Sequence, residues 1–241
     1  MRRTLAAVLL VAALAAGCTT GSRAGAAGPR YVIVGASDAK GFGADDPEQD
    51  SWPQLLLHHT FEPGSGLVNV AVPGDTVADA LAHQDADAVN ADAKAAFVWL
   101  AVNDLLHLVP PATYEQQLRR LVHDLRRGGR TRVLVANVPP LDHLPAYLAC
   151  RNGGDCLVDG PLPPPEVVNA AVDAYNAAVA RVATAEGADL VDLHAAGVAA
   201  RRAGTEASLV SADGFHPSNA GHKLIADAFA RVLETRGVRV R

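Results

Sequence analysis

No basic stretch follows the first few residues of this chain. Its formal net charge is −5, with Lys and Arg at 21 against Asp and Glu at 26, a balance that sets nucleic acid aside as a partner. No Gly-x-Gly-x-x-Gly follows the first interior apolar run and no Gly-Lys-Ser/Thr occurs. A dinucleotide fingerprint and a P-loop are therefore both missing. Nothing in the interior reads as a linker between two domains. The acidic residues Asp45, Asp46, Glu48 and Asp50 lack the spacing of a calcium loop. His58 and His59, adjacent on a helix, point in different directions, and Asp142-His143 lies in a Pro-rich loop without a matching nucleophile. All of these read as solvated surface, and no metal or organic cofactor is expected.

The one long apolar run is N-terminal. Arg2 and Arg3 precede residues 5–16, which are only Leu, Ala and Val. That run is too short to cross a bilayer core of about 30 Å as a helix, and residues 1–17 read as a secretory signal peptide. The run Leu14-Ala15-Ala16-Gly17-Cys18 resembles a bacterial lipobox, with Ala15 where Leu is usual. The resemblance implies a lipid on Cys18 and an exported protein held to the outer side of the cell membrane. Ordinary cleavage would instead leave a free Cys18 on a secreted protein. Residues 18–29, rich in Gly, Ala, Ser and Thr, suit a flexible tether, and residues 30–241 suffice for one domain with a full core.

Cysteine is scarce, at 3 residues. If Cys18 carries lipid, Cys150 and Cys156 remain as a pair around a short Gly-rich loop. An oxidising exterior permits a disulfide there, worth about 2–3 kcal/mol on the loop-entropy model. The alternative is two unpaired loop thiols.

Short apolar runs alternate with amphipathic stretches. Strands are predicted at residues 31–34, 67–72, 96–101, 132–136 and 188–193. Helices are predicted at 53–59 with Ser51 as N-cap, and at 76–83, 113–127, 166–186 and 220–235. Tyr114, Leu118, Leu121 and Leu125 recur at helical steps. Continuous apolar strands joined by such helices indicate a three-layer α/β/α domain around a doubly wound, flavodoxin-like parallel sheet of about five strands. Ligands bind such sheets beyond the carboxyl ends of the strands.

That rim collects the chemistry. Ser37 follows the first strand in a Gly-x-Ser turn, where a hydroxyl at a helix start can attack an acyl carbon. A serine there also serves as an ordinary N-cap. In Asp213-Gly214-Phe215-His216-Pro217, the spacing puts carboxylate and imidazole on one side of a turn. The plain alternative is a surface turn with a capping Asp. Asn103 follows the third strand and Gly74 the second; both suit an oxyanion, and both suit ordinary turns.

Together these residues resemble the SGNH (GDSL-like) hydrolases, named for Ser, Gly, Asn and His in four blocks. Gly35-Ala36-Ser37-Asp38 is similar to the nucleophile block, with Ala36 where Asp is common. Residues 69–74 resemble the glycine block, Ala101-Val102-Asn103-Asp104 the Gly-x-Asn-Asp block with Ala101 for Gly, and residues 213–217 the Asp-x-x-His block. The resemblance spans roughly residues 30–235. It implies Ser37 as nucleophile, His216 as general base and then acid, and Asp213 as its orienting partner. It also implies an oxyanion hole from the N–H groups of Ser37 and Gly74 with the Asn103 side chain. The substrate would be a small-molecule ester or an acylated lipid or glycan. An ordinary α/β-hydrolase would show Gly-x-Ser-x-Gly, and here the fifth place is Ala39. A non-catalytic domain binding envelope glycan or lipid, and an acyltransferase using the same residues, are the other readings. Residues 139–165, Pro-rich and carrying Leu141, Leu144, Tyr147 and Leu148, are placed to wall an acyl pocket.

Overall fold

The computed structural model describes residues 28–154, 156 and 162–236. The expected signal peptide, Cys18 and nearly all of the expected tether lie outside the described residues. Five strands, β1 (Arg30–Gly35), β2 (Gly66–Asn69), β3 (Ala95–Trp99), β4 (Arg132–Ala136) and β5 (Asp189–Val191), form one sheet. Every pairing is parallel and the order is β2-β1-β3-β4-β5. Helices α1 (Pro47–Asp50) and α2 (Trp52–His59) connect β1 to β2, and α3 (Val77–His83) and α4 (Asp85–Asn90) lead to β3. Helices α5 (Val102–Leu106) and α6 (Pro111–Arg126) lead to β4, and α7 (Pro145–Arg151) and α8 (Pro165–Glu186) to β5. The chain then runs through α9 (Leu193–Arg202) to α10 (Asn219–Thr235). This is the three-layer α/β/α sandwich the alternation of elements predicts.

The central strands β1, β3 and β4 are apolar and buried beyond the Arg that opens β1 and β4, because both faces are covered there, while the edge strands β2 and β5 are only partly buried. Alternate side chains point to opposite sides. Val32, Val34, Val98 and Val135 pack with Tyr114, Leu118, Leu121 and Leu125 of α6 and with Val172, Tyr175 and Val179 of α8. Their strand neighbours Tyr31, Ile33, Phe97 and Leu134 pack with Trp52 of α2 and Phe229 of α10. Each fully buried large side chain contributes about 1.5–3 kcal/mol of transfer free energy. The second face holds the aromatic stack, with Trp52 and Phe229 at 5.0 Å between centroids.

Several boundaries differ from the sequence expectation, β3 for one ending at Trp99 rather than residue 101, and three of the differences go with a local hydrogen bond. Strand β2 stops at Asn69 rather than residue 72: the Asn69 side chain takes Ala71 N–H at 3.1 Å, while Val70 and Val72 N–H still donate to Ile33 and Gly35 O of β1 at 3.1 and 3.3 Å. Strand β5 stops at Val191, because Asp192 instead caps α9 through Ala195 N–H at 2.9 Å. Thr76 is the N-cap of α3 rather than its first residue, in a capping box with Asp79. Ser51 occupies the N-cap position of α2 as expected, but its side chain makes no cap hydrogen bond.

Candidate active site

Strand β1 delivers the chain to Ser37, which opens a short 3₁₀ turn over Asp38–Lys40. The Ser37 carbonyl accepts from Lys40 and Phe42 N–H at 3.0 and 3.1 Å, closing the turn. Asn69 Nδ2, at the end of β2, donates to Ala39 O at 2.6 Å. Ser37 Oγ lies 2.9 Å from His216 Nε2, across 179 residues of sequence. On the other side of the ring, Nδ1 lies 2.6 Å from Asp213 Oδ2.

The Asp213 carboxylate also builds the turn that carries the histidine. Its Oδ1 accepts from Ser211 Oγ at 2.7 Å, Phe215 N–H at 2.8 Å and His216 N–H at 2.9 Å. Partial burial alone would raise the carboxyl; the Phe215 N–H, Ser211 hydroxyl and His216 donors outweigh it and hold Asp213 down to about 2. An ionised Asp213 fixes a proton on Nδ1 and leaves the Nε2 lone pair for the Ser37 hydroxyl. Gly43 backs this turn with φ at +86°, and a Cβ there would stand 2.3 Å from the Pro217 carbonyl oxygen. No side chain fits at that position.

Asn103 sits in the first turn of α5, not in the loop the sequence suggested, and its Nδ2 donates to Asp75 O at 2.9 Å. Its second amide hydrogen, the Ser37 N–H and the Gly74 N–H have no protein acceptor among the described residues. Gly74 adopts φ +89° on an exposed loop, outside the lining of the cavity that Ser37, Asn103 and His216 share. Ala101 has φ of 172°, extended backbone open to any residue, so Ala in place of Gly leaves Asn103 undisturbed. Asp104 is buried, caps α3 through Val77 N–H at 3.1 Å, and is pushed up to about 6 by desolvation.

The cavity, about 140 Å³, runs from Ser37 and His216 between α9, α10 and the segment after β4. Pro139, Pro140, Leu141 and Leu144 supply one wall. Tyr147 and Leu148, expected there too, are not part of it: Tyr147 donates its hydroxyl to Pro163 O at 2.8 Å, and Leu148 is exposed. Cys150 and Cys156 are bonded, with Cα atoms 4.7 Å apart.

Asp142 is not the surface residue its loop context suggested. It is buried and accepts from Arg201 Nη2 at 2.8 Å and Asn169 Nδ2 at 3.1 Å. Arg201 also holds Glu206 at 2.7 Å, and Glu206 meets His143 Nδ1 at 3.2 Å. This cluster ties the segment after β4 to α9, and a lone Asp in a Pro-rich loop carries no signal of it. Asp45 and Asp50 likewise accept from Asn219 Nδ2, at 2.9 and 3.2 Å. Among the described residues no group of three or more His, Cys, Asp or Glu is arranged to hold a metal ion. His222, next to the catalytic-type block, is fully buried. Its Nδ1 accepts from Trp52 N–H at 3.3 Å and its Nε2 donates to Phe42 O at 3.0 Å. Burial pushes its pKa down.

The chain belongs to the GDSL-like lipase/acylhydrolase family, which it matches over residues 33–224. It is thus an esterase/lipase-type hydrolase, of a family acting on small-molecule ester or lipid substrates. Solved structures share its fold. The α/β hydrolase LAE5, from a Lake Arreo metagenome, is 26% identical with a TM-score of 0.64, covering 88% of this chain and 96% of its own. A lipase/acylhydrolase from Enterococcus faecalis is 19% identical at TM-score 0.64, covering 88% and 97%. Phospholipase A1 from Streptomyces albidoflavus is 18% identical at TM-score 0.62, covering 87% and 99%. No curated protein matches the chain by sequence.

Proposed function

We propose that the protein is an exported serine esterase, anchored through lipid on Cys18, that cleaves carboxylic esters by way of an acyl-enzyme on Ser37. The observation that carries this reading is the relay Ser37–His216–Asp213, at 2.9 and 2.6 Å, opening on an apolar cavity. His216 Nε2 takes the proton as Ser37 Oγ attacks the ester carbonyl carbon. The negative charge on the tetrahedral oxygen is met by the N–H groups of Ser37 and Gly74 and the free amide hydrogen of Asn103. Collapse breaks the C–O bond, and His216 returns its proton to the leaving alcohol. Water, deprotonated by His216, then releases the acid from Ser37. Asp213 stays ionised throughout and holds the ring tautomer. The Leu and Pro wall after β4 suits an apolar acyl chain.

The test is hydrolysis of p-nitrophenyl acetate, butyrate and longer esters by the purified protein, beside Ser37→Ala and His216→Ala. Activity in the parent that both variants lose is the expected result. If the parent neither hydrolyses an ester nor labels with a fluorophosphonate at Ser37, the domain is a binding protein. Labelling without hydrolysis points to acyl transfer onto a sugar or alcohol. The anchor is tested separately, by detergent partitioning of the full chain and of Cys18→Ser; equal behaviour of the two would refute lipidation.

A further inference from the structure

Gln84 follows α3 and belongs to no rim loop, yet it is fully buried. Its side chain reaches back to the end of β1. Oε1 accepts from Gly35 N–H at 3.1 Å, and Nε2 donates to Gly35 O at 2.9 Å. The same Nε2 donates to Asp75 Oδ2 at 3.0 Å. The named ladder between β2 and β1 stops at Ile33↔Asn69, although Val72 N–H still donates to Gly35 O at 3.3 Å. The Gln84 amide supplies the acceptor for Gly35 N–H on that edge and shares the Gly35 carbonyl with Val72.

The two ends of this bridge lead to the two halves of the site. Gly35 is two residues before Ser37. Asp75 directly follows Gly74, and its carbonyl holds Asn103 Nδ2 at 2.9 Å. One buried amide thus joins the nucleophile turn to the loop that bears Gly74 and whose Asp75 carbonyl holds the Asn103 side chain. A buried amide is costly unless fully paired, and one paired at both ends admits a single orientation.

We infer that Gln84 is a positioning residue, which sets the distance between Ser37 and the oxyanion donors, Gly74 N–H and the Asn103 amide. The inference rests on the reading of Ser37 as nucleophile. It concerns the transition state, where the oxygen becomes charged, and not the binding of an uncharged ester.

The experiment compares the full chain with Gln84→Met, which keeps the size of the side chain and removes its hydrogen bonds. With p-nitrophenyl butyrate, kcat is expected to fall about 10- to 100-fold with KM within about twofold, because misplacing a catalytic group by about 1 Å has that effect. In an Asn103→Ala background the same change should lower kcat by no more than about threefold, since one donor it holds is gone. A kcat within about threefold of the parent, or losses that simply multiply with Asn103→Ala, would overturn the inference and leave Gln84 a structural residue. Should Gln84→Met fail to fold, Asp75 decides. Asp75→Asn keeps an acceptor for Nε2 and should retain kcat, whereas Asp75→Ala should reproduce the loss. Equal activity in those two overturns the inference as well. Hydrolysis that survives Ser37→Ala would instead overturn the nucleophile assignment, and with it any catalytic role for Gln84.

Discussion

Asp213→Asn separates the two jobs of the Asp213 carboxylate. The Asn oxygen can keep the Phe215 and His216 N–H bonds, so the turn survives. The amide nitrogen then faces His216 Nδ1, which is 2.6 Å from Oδ2 in the parent. An N–H in that place favours the tautomer with its proton on Nε2, and Nε2 then cannot take the Ser37 proton. In a buried triad this error lowers kcat by about 10⁴. The Asp213 side chain is 46% exposed, so water relieves part of the effect, and we expect a loss of about 10³-fold, near 4 kcal/mol. Asp213→Ala differs in kind. Water can replace the acceptor at Nδ1 and leaves the tautomer free, but the bonds from Ser211, Phe215 and His216 are lost. It should be less stable than Asp213→Asn by about 1–2 kcal/mol and so unfold at a lower temperature, and yet turn over faster when assayed well below that temperature. Thermal unfolding and p-nitrophenyl ester kinetics on both variants decide it. An Asp213→Asn enzyme within tenfold of the parent would refute the orienting role of the carboxylate.

The buried His222 makes stability pH-dependent. Its pKa is lowered in the fold, so the unfolded chain binds more protons below the ordinary value of 6.5. The stability is full above that pH and declines as pH falls. Unfolding in urea across this range should show the slope, and His222→Gln should flatten it. Gly43→Ala forces a Cβ to 2.3 Å from Pro217 O at φ +86°; it should destabilise by about 2 kcal/mol or more and lower kcat by displacing His216, seen by calorimetry and kinetics. Replacing Cys150 and Cys156 by Ser should lower the unfolding free energy by about 2 kcal/mol, measured by denaturant titration; no change would mean that the bond constrains nothing in the unfolded chain.

The architecture was legible because apolar periodicity is a local property. Strand β4 falls on residues 132–136 as the pattern predicts, and α6 buries the Tyr114, Leu118, Leu121 and Leu125 stripe. The Asp-x-x-His spacing marked out Asp213 and His216 for the same reason: both lie on one turn. Helices α1, α4, α5, α7 and α9 were not legible: the first four have only four to seven residues, and α9 buries only Leu193 and Ala200, so none carries an apolar stripe. Asn103 therefore emerged on a helix where a loop was expected.

The layers, the approximate strand positions and the residue types at the sheet's carboxyl edge are written in neighbouring residues and could be read from them. That Ser37 and His216, 179 residues apart, stand at 2.9 Å is a product of the folded packing. It alone placed Asp142 in a buried ion cluster and gave Gln84 and His222 their partners. Those roles belong to polar groups whose partners lie far along the chain. A buried polar group must be paired, and which pair forms is settled by packing rather than by spacing.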